Sequence, residues 1–261
     1  MFRIVQVETT NYCNSHCVFC PHDKYTHFEH MTDALYQKIV LDAAQYDLLR
    51  FIPMLNGEPF ADPKIMERVA FAREHIKLAT EIRLFTNGSL LTRKQVDELA
   101  MMRNVSLSIS LNGSSRELRR DLMGLDDFDQ VVDIIKYVRD KGLLYQSTTV
   151  WHGSLTMKEV NTLSAFPLTG VFSYHNYCGE IYPYTRTKAT NCGRIHDNIT
   201  VLADGTANLC CWDMFAKVKF GNARDMTLKE LWDNPERQKY IEAHDKNEGQ
   251  TMPMCQHCTQ G

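Results

Sequence analysis

Six short apolar or alternating runs recur along the first two thirds of the chain, with helix-length segments between them. FRIVQVE (2–8), RFIPMLN (50–56), IRLFTN (82–87), VSLSISLN (105–112), LYQSTTV (144–150) and GVFSYHN (170–176) carry the strand signature. Thr32 opens a helix that ends near Tyr46, and Asp62 with Pro63 opens another that reaches about Ile76. Thr92 with Gln95 forms a capping box before VDELAMM, and Asp127 begins FDQVVDIIKYVRD, which stops at Gly142. Parallel neighbours need crossover connections of this length, so the alternation predicts an α/β chain with a parallel sheet. Curled, such a sheet is an incomplete barrel, and its chemistry belongs to the loops after the strand ends.

A chain of 261 residues buries a proper core without staples, so a bound metal would serve chemistry more than folding. A formal net charge of -3 gives no basic field to hold a nucleic acid backbone. No run approaches the roughly 18 apolar residues of a membrane span, and the N-terminus lacks the order of a signal peptide. The expectation is a soluble, cytoplasmic monomer that engages neither nucleic acid nor membrane. Nine cysteines in a reducing compartment read as metal ligands before disulfides, and they cluster: three near the start, Cys210 with Cys211, and Cys255 with Cys258.

After about residue 178 the texture changes. NITVLADGTANLCCW reads as two short strands around an Asp-Gly turn, Thr227 with Glu230 caps a helix through LKELW, and the tail closes on MCQHC. Two units are expected, residues 1–180 and residues 181–261, with the polar, proline-containing stretch 181–191 as the linker.

CNSHCVFC (13–20) places three thiols directly behind the first strand. A structural zinc would need a fourth ligand, and only His16 and His22 stand near. An iron-sulfur cube can instead rest on three cysteines and leave its last iron open. The CxxxCxxC spacing, with Phe19 before the last cysteine, resembles the signature of the radical S-adenosylmethionine (radical SAM) superfamily. The resemblance implies a [4Fe-4S] cluster on Cys13, Cys17 and Cys20, SAM chelating the open iron through its amino and carboxylate groups, and Phe19 near the adenine. LNGEP resembles the family's GGEP element with Asn56 in place of the first glycine. There Gly57 would expose backbone to SAM and Glu58 would accept from its ammonium. TNG after the third strand is also seen in the family. In SLSISLNG, Ser106, Ser108, Ser110 and Asn112 share one face. Burying unpaired hydroxyls costs roughly 1–3 kcal/mol each, so that face should meet a ligand. By resemblance Ser110 is the leading SAM contact and Ser108 a second candidate, unless Ser108 is satisfied within the barrel. Relatives often carry an arginine before the glycine that follows this strand. Here Met123 precedes Gly124, so Arg119 or Arg120 stands in, or both are solvated helix charges.

Cys192, Cys210, Cys255 and Cys258, with the FGN and LKELW texture between them, resemble the twitch module, the shortened form of the SPASM domain, which holds one auxiliary [4Fe-4S] cluster. A four-cysteine zinc site has the same ligand list. Cys211 adjoins Cys210 and is open to a ligand swap with it. Cys178, in HNYCGE at the end of the sixth strand, is either a core thiol or a substrate-pocket residue. The resemblance thus implies a partial (β/α)6 TIM-like barrel with a small C-terminal α+β twitch module, two [4Fe-4S] clusters, SAM, and a flavodoxin or ferredoxin electron donor. A 5'-deoxyadenosyl radical would take a hydrogen atom from substrate, and the auxiliary cluster would take the remaining electron. The chain starts on its first strand, without a leader-recognition domain, and is short, like the aminocyclitol dehydrogenases; a small polar alcohol or aminocyclitol is therefore expected before a peptide. Methyl or sulfur transfer, and a non-catalytic zinc protein, are the rival readings. His152, Tyr174, His175, Asn176, Tyr177, Cys178 and Glu180 are the pocket candidates, with Tyr177, Cys178 and His175 the catalytic candidates among them and none singled out as base.

Overall fold

β1 (Ile4–Val7), β2 (Arg50–Ile52), β3 (Glu81–Thr86), β4 (Val105–Ser110), β5 (Leu144–Trp151) and β6 (Leu168–Ser173) form a parallel array, each paired with the strand before it. The computed structural model describes residues 1–151, 168–173, 176–181 and 191–259. His152, Tyr174, His175 and most of the expected linker lie outside the described residues. α1 (Asp33–Ala43), α2 (Ile65–His75) and α3 (Arg93–Ala100) follow the first three strands, and α4 (Arg116–Met123) and α5 (Phe128–Asp140) follow the fourth. The mostly parallel sheet with its crossover helices bears out the expected fold class.

The helix starts are chemical. Thr32 accepts from Leu35 N–H, and Thr92 and Gln95 close a reciprocal capping box. α2 begins three residues after Asp62, because the Asp62 carboxylate takes the Lys64 N–H and holds the chain in a turn. β2 stops at Ile52, where Pro53 has no N–H to give the ladder. Val5, Phe51, Ile82, Leu84, Leu107 and Ile109 of the strands pack with Ile39, Val69, Val96, Leu99 and Val131 of the helices into one core. Each such side chain contributes roughly 1.5–3 kcal/mol on burial.

The C-terminal part joins the same sheet. α6 (Gly193–Asp197) leads into β7 (Asn198–Val201), which pairs in parallel with β1, Val5 opposite Ile199 and Val7 opposite Val201. β8 (Thr206–Asn208) turns back on β7 through the Asp-Gly turn, with Gly205 at φ +89°, and β9 (Lys219–Asn222) pairs with β8. The result is one nine-stranded sheet in the order β6-β5-β4-β3-β2-β1-β7-β8-β9. Without β7, β1 would be a bare edge of unpaired N–H and C=O groups. α7 (Leu228–Trp232), capped by the Thr227–Glu230 box, sends Leu228, Leu231 and Trp232 into the barrel core. A smaller apolar cluster of Ile195, Leu209, Phe220, Tyr240 and Met254, the tyrosine on α8 (Pro235–Asp245), gathers around the C-terminal cysteines. Among the described residues no helix is long and apolar enough to cross a membrane.

Candidate active site

The loop of three thiols leaves the C-terminal end of β1 and docks on the end of α4. Ser15 Oγ and His16 N–H both donate to the Met123 carbonyl, at 2.8 and 2.9 Å, and Val18 N–H donates to Leu122 at 3.0 Å. Last-turn carbonyls of a helix have no partner within it, so the loop and the helix end satisfy each other. At the position where relatives often carry arginine, it is the Met123 backbone that grips the loop. Burial pushes the Cys13 and Cys17 thiols up to about 12 and raises Cys20 as well, and as thiolates the three would also repel one another. A cationic iron-sulfur core relieves both penalties by taking the negative charge from the sulfurs, so this donor set fits a cluster.

Neither nearby histidine completes a zinc site. The His22 ring bonds the Asn11 carbonyl at 2.7 Å, inside the aromatic group of Tyr25 and Phe28. His16 is 70% exposed and pairs with Asp23. Among the described residues no three His, Cys, Asp or Glu side chains stand close enough to share one metal ion.

The LNGEP turn lies against this loop. A Cβ on Gly57 would run into the carbonyl oxygens of Thr10 and Tyr12, so glycine is needed there for backbone-to-backbone approach. Glu58 N–H donates to the Tyr12 carbonyl, and the Glu58 side chain is buried. Its Oε1 accepts from Thr86 Oγ1 (2.6 Å) and Phe60 N–H (3.3 Å), and its Oε2 accepts from Asn87 N–H (2.8 Å). A carboxylate offers about four acceptor positions, which leaves one for a further donor such as an ammonium. Burial raises this carboxyl to about 7 against those bonds. Asn56 donates to Glu8 and to Tyr25 Oη, giving the departure from GGEP a local purpose. TNG is tied in turn to the cysteine loop, Asn87 Nδ2 donating to Asn14 Oδ1 at 2.8 Å.

On the polar face of β4, Ser106 is spoken for by Glu81 and Arg83. Ser108 is buried, and Ser110, at the C-terminal end, is the half-buried residue of the strand. Arg119 fits neither expected role. It is fully buried, with Nε on Asp127 Oδ1 (2.6 Å), Nη1 on the Leu111 carbonyl (2.7 Å) and Nη2 on the Asn87 carbonyl (2.9 Å). It buttresses the ends of β3 and β4, while Arg120 is exposed. Sequence reading missed α4 as an element, although Ser115 is a plain N-cap that accepts from Leu118 N–H.

A second centre lies beyond β7. Cys192, Cys210, Cys255 and Cys258 line one cavity, as expected, and Cys178 lines it with them. Tyr177 and Cys178 both take left-handed backbone, φ 47° and 54°, and Cys178 is buried in the apolar cluster around this cavity. The Cys178 thiol bonds to Cys210 and Cys258, which lifts its own pKa and lowers that of Cys210. Tyr177, one residue earlier, bonds to Cys20 of the first loop and stands edge-on to Trp212, at 5.3 Å. The other pocket candidates are ties as well: Asn176 donates to the His257 carbonyl, and Glu180 pairs with Lys24 and Lys217. Cys211 is held by Arg194 and is not among the cavity-lining residues.

Two neighbours of this cavity were not signalled by any motif. On α8, Arg237, Tyr240 and His244 form a buried face at helical spacing. His244 Nε2 lies 3.4 Å from Cys255 Sγ, and burial lowers its pKa, which favours a neutral ring. Arg237 donates Nη2 to the Ile195 and Asn198 carbonyls and lies over Trp232, but its Nε and Nη1 find no acceptor among the described residues. A buried guanidinium without counter-charge is costly. Its charge acts on Cys210, so an anionic thiolate-bound cluster in the adjoining cavity would balance it.

Comparison with known proteins adds three observations. The family model "Radical SAM superfamily" matches residues 7–164, and the SPASM model, an iron-sulfur cluster-binding domain, matches residues 192–259. Among curated relatives, the S-adenosyl-L-methionine-dependent 2-deoxy-scyllo-inosamine dehydrogenase of Niallia circulans is 29% identical over 102 residues, 38% of this chain and 40% of that protein. The matches span 34% to 46% of the length of the curated relatives. Among solved structures, BtrN in complex with AdoMet and 2-DOIA superposes with TM-score 0.72 at 17% identity, covering 100% of this chain and 94% of that one. Streptococcus suis SuiB bound to precursor peptide SuiA gives TM-score 0.76 at 15% identity, covering 99% of this chain and 70% of that one.

Proposed function

We propose that this chain, which belongs to the radical SAM superfamily, cleaves SAM reductively and uses the 5'-deoxyadenosyl radical to oxidise a small polar alcohol or aminocyclitol-type substrate. The observation that carries the reading is the trio of Cys13, Cys17 and Cys20, whose neighbouring histidines are engaged elsewhere, beside a Glu58 that has one acceptor position left. Bound at the two cysteine centres, [4Fe-4S] clusters would supply the electron that splits SAM and accept the one that leaves the substrate. The chain's own part is to hold and orient: Glu58 takes the ammonium of SAM, Phe19 flanks its adenine, Gly57 admits the close turn, and Ser110, with Ser108 below it, meets the ribose or carboxylate. A flavodoxin or ferredoxin is the proposed electron donor. The inosamine dehydrogenase among the relatives and the near-complete mutual coverage with BtrN favour a small molecule. The overlay of 99% of this chain on peptide-bound SuiB supports peptide modification as the second reading.

The test is anaerobic incubation with SAM and a low-potential reductant, following 5'-deoxyadenosine alone, with candidate cyclitols, and with candidate peptides. Formation that rises with a cyclitol supports the first reading, and with a peptide the second. Colourless protein that binds zinc stoichiometrically and yields no 5'-deoxyadenosine overturns both.

A further inference from the structure

The C-terminal cavity holds one thiol more than a four-iron cube requires. Its walls carry Cys178, Cys192, Cys210, Cys255 and Cys258, whereas Cys211, the sequence neighbour of Cys210, points to Arg194. Cys178 is no bystander in that wall, since it is buried in the apolar cluster against which Cys210 and Cys258 pack. The backbone there is unusual as well. Tyr177, Cys178 and Gly179 follow one another at φ 47°, 54° and 94°, and only glycine adopts that region without strain. Strain at a non-glycine residue persists where the surroundings over-determine it, and here they do. Asn176 is tied to His257 and Thr259, Tyr177 bonds to Cys20, and Glu180 is clamped between Lys24 and Lys217. These ties fix the turn so that the Cys178 thiol is delivered into the cavity.

We propose that Cys178 is an exchangeable ligand of the C-terminal cluster, able to take the iron that Cys210 or Cys258 gives up. The proposal rests on the reading of this cavity as a cluster site. Exchange needs no oxidant or reductant. A sulfur-iron bond would form at Cys178 as one breaks at Cys210, and the Cys178 proton would pass to the departing Cys210 sulfur, which lines the same cavity. Four thiols stay bound throughout, and the fifth remains in the cavity as the protonated partner.

The experiment counts iron and sulfide, and records absorption and Mössbauer spectra, on the full chain reconstituted anaerobically. The background is Cys13→Ala/Cys17→Ala/Cys20→Ala, so that only the second centre is counted. In that background about four irons per chain are expected. Adding Cys210→Ala should retain the cluster, adding Cys178→Ala should also retain it, and adding both should abolish it. Circular dichroism on every variant, with Cys210→Ser as a gentler second substitution, separates loss of ligand from loss of fold. Loss of the cluster in folded Cys210→Ala or Cys210→Ser protein overturns the exchange, as does its loss in Cys178→Ala alone, which would make Cys178 a fixed ligand. Absence of iron in the unaltered second centre overturns the cluster reading itself.

Discussion

At the scale of single residues, the site is built from side chains whose partners are fixed before any cofactor arrives. Gly57 has Thr10 and Tyr12 carbonyls where a Cβ would go. Gly57→Ala should therefore cost about 1–3 kcal/mol as the LNGEP turn is forced off the cysteine loop, read as a lower melting temperature and weaker SAM binding. Arg119→Leu should cost about 3 kcal/mol in urea unfolding, the lower end for orphaning a buried partner, because Asp127 keeps 16% exposure. Two buried carboxyls set the pH response. Burial raises Glu8 to about 8 and Glu58 to about 7 from an ordinary 4.5. The folded chain thus holds protons that the unfolded chain has released. This stabilisation is fully present below about pH 4.5 and is lost as pH rises through 7 and 8. Urea midpoints of cluster-free protein should fall between pH 5.5 and pH 8, and Glu8→Gln should flatten part of that fall; a midpoint that rises over the interval would contradict the assignment.

At the scale of elements, the strands and capped helices were legible because their signals are local, alternation and capping boxes, although the run read as 50–56 stops at Ile52, ahead of Pro53. The cysteine groupings were legible for the same reason, since spacing carries a ligand set. What could not be read is what arises between elements distant in sequence. Nothing in NITV says that it pairs with IVQV nearly two hundred residues earlier, yet β7 covers β1 residue for residue. Cys178 could be read as a core thiol or as a substrate-pocket residue, and the left-handed turn that carries it has no glycine at positions 177 or 178 to announce it. No motif signals Arg237, which only the fold lays over Trp232. From the β1–β7 pairing it follows that residues 1–180 expressed alone should associate or precipitate through the bared β1 edge, as size-exclusion chromatography would show. A monomeric, folded fragment would argue against that pairing as a structural requirement.

At the scale of the whole molecule, two cysteine centres stand on one sheet with different chemistries expected of them. Cys17→Ala should abolish SAM cleavage, whereas Cys255→Ala should spare uncoupled 5'-deoxyadenosine formation and block completed product. Normal turnover by the second variant would remove the C-terminal centre from the electron path. The Tyr177 phenol feels the charge of Cys20, and Cys178 lines the cavity with Cys210 and Cys258, so two consecutive residues serve both centres. The junction works as a yoke. A tug transmitted by the sulfur on one side is felt by the phenol on the other within a single residue's length, and inserting even one amino acid between them would throw both ends out of step together.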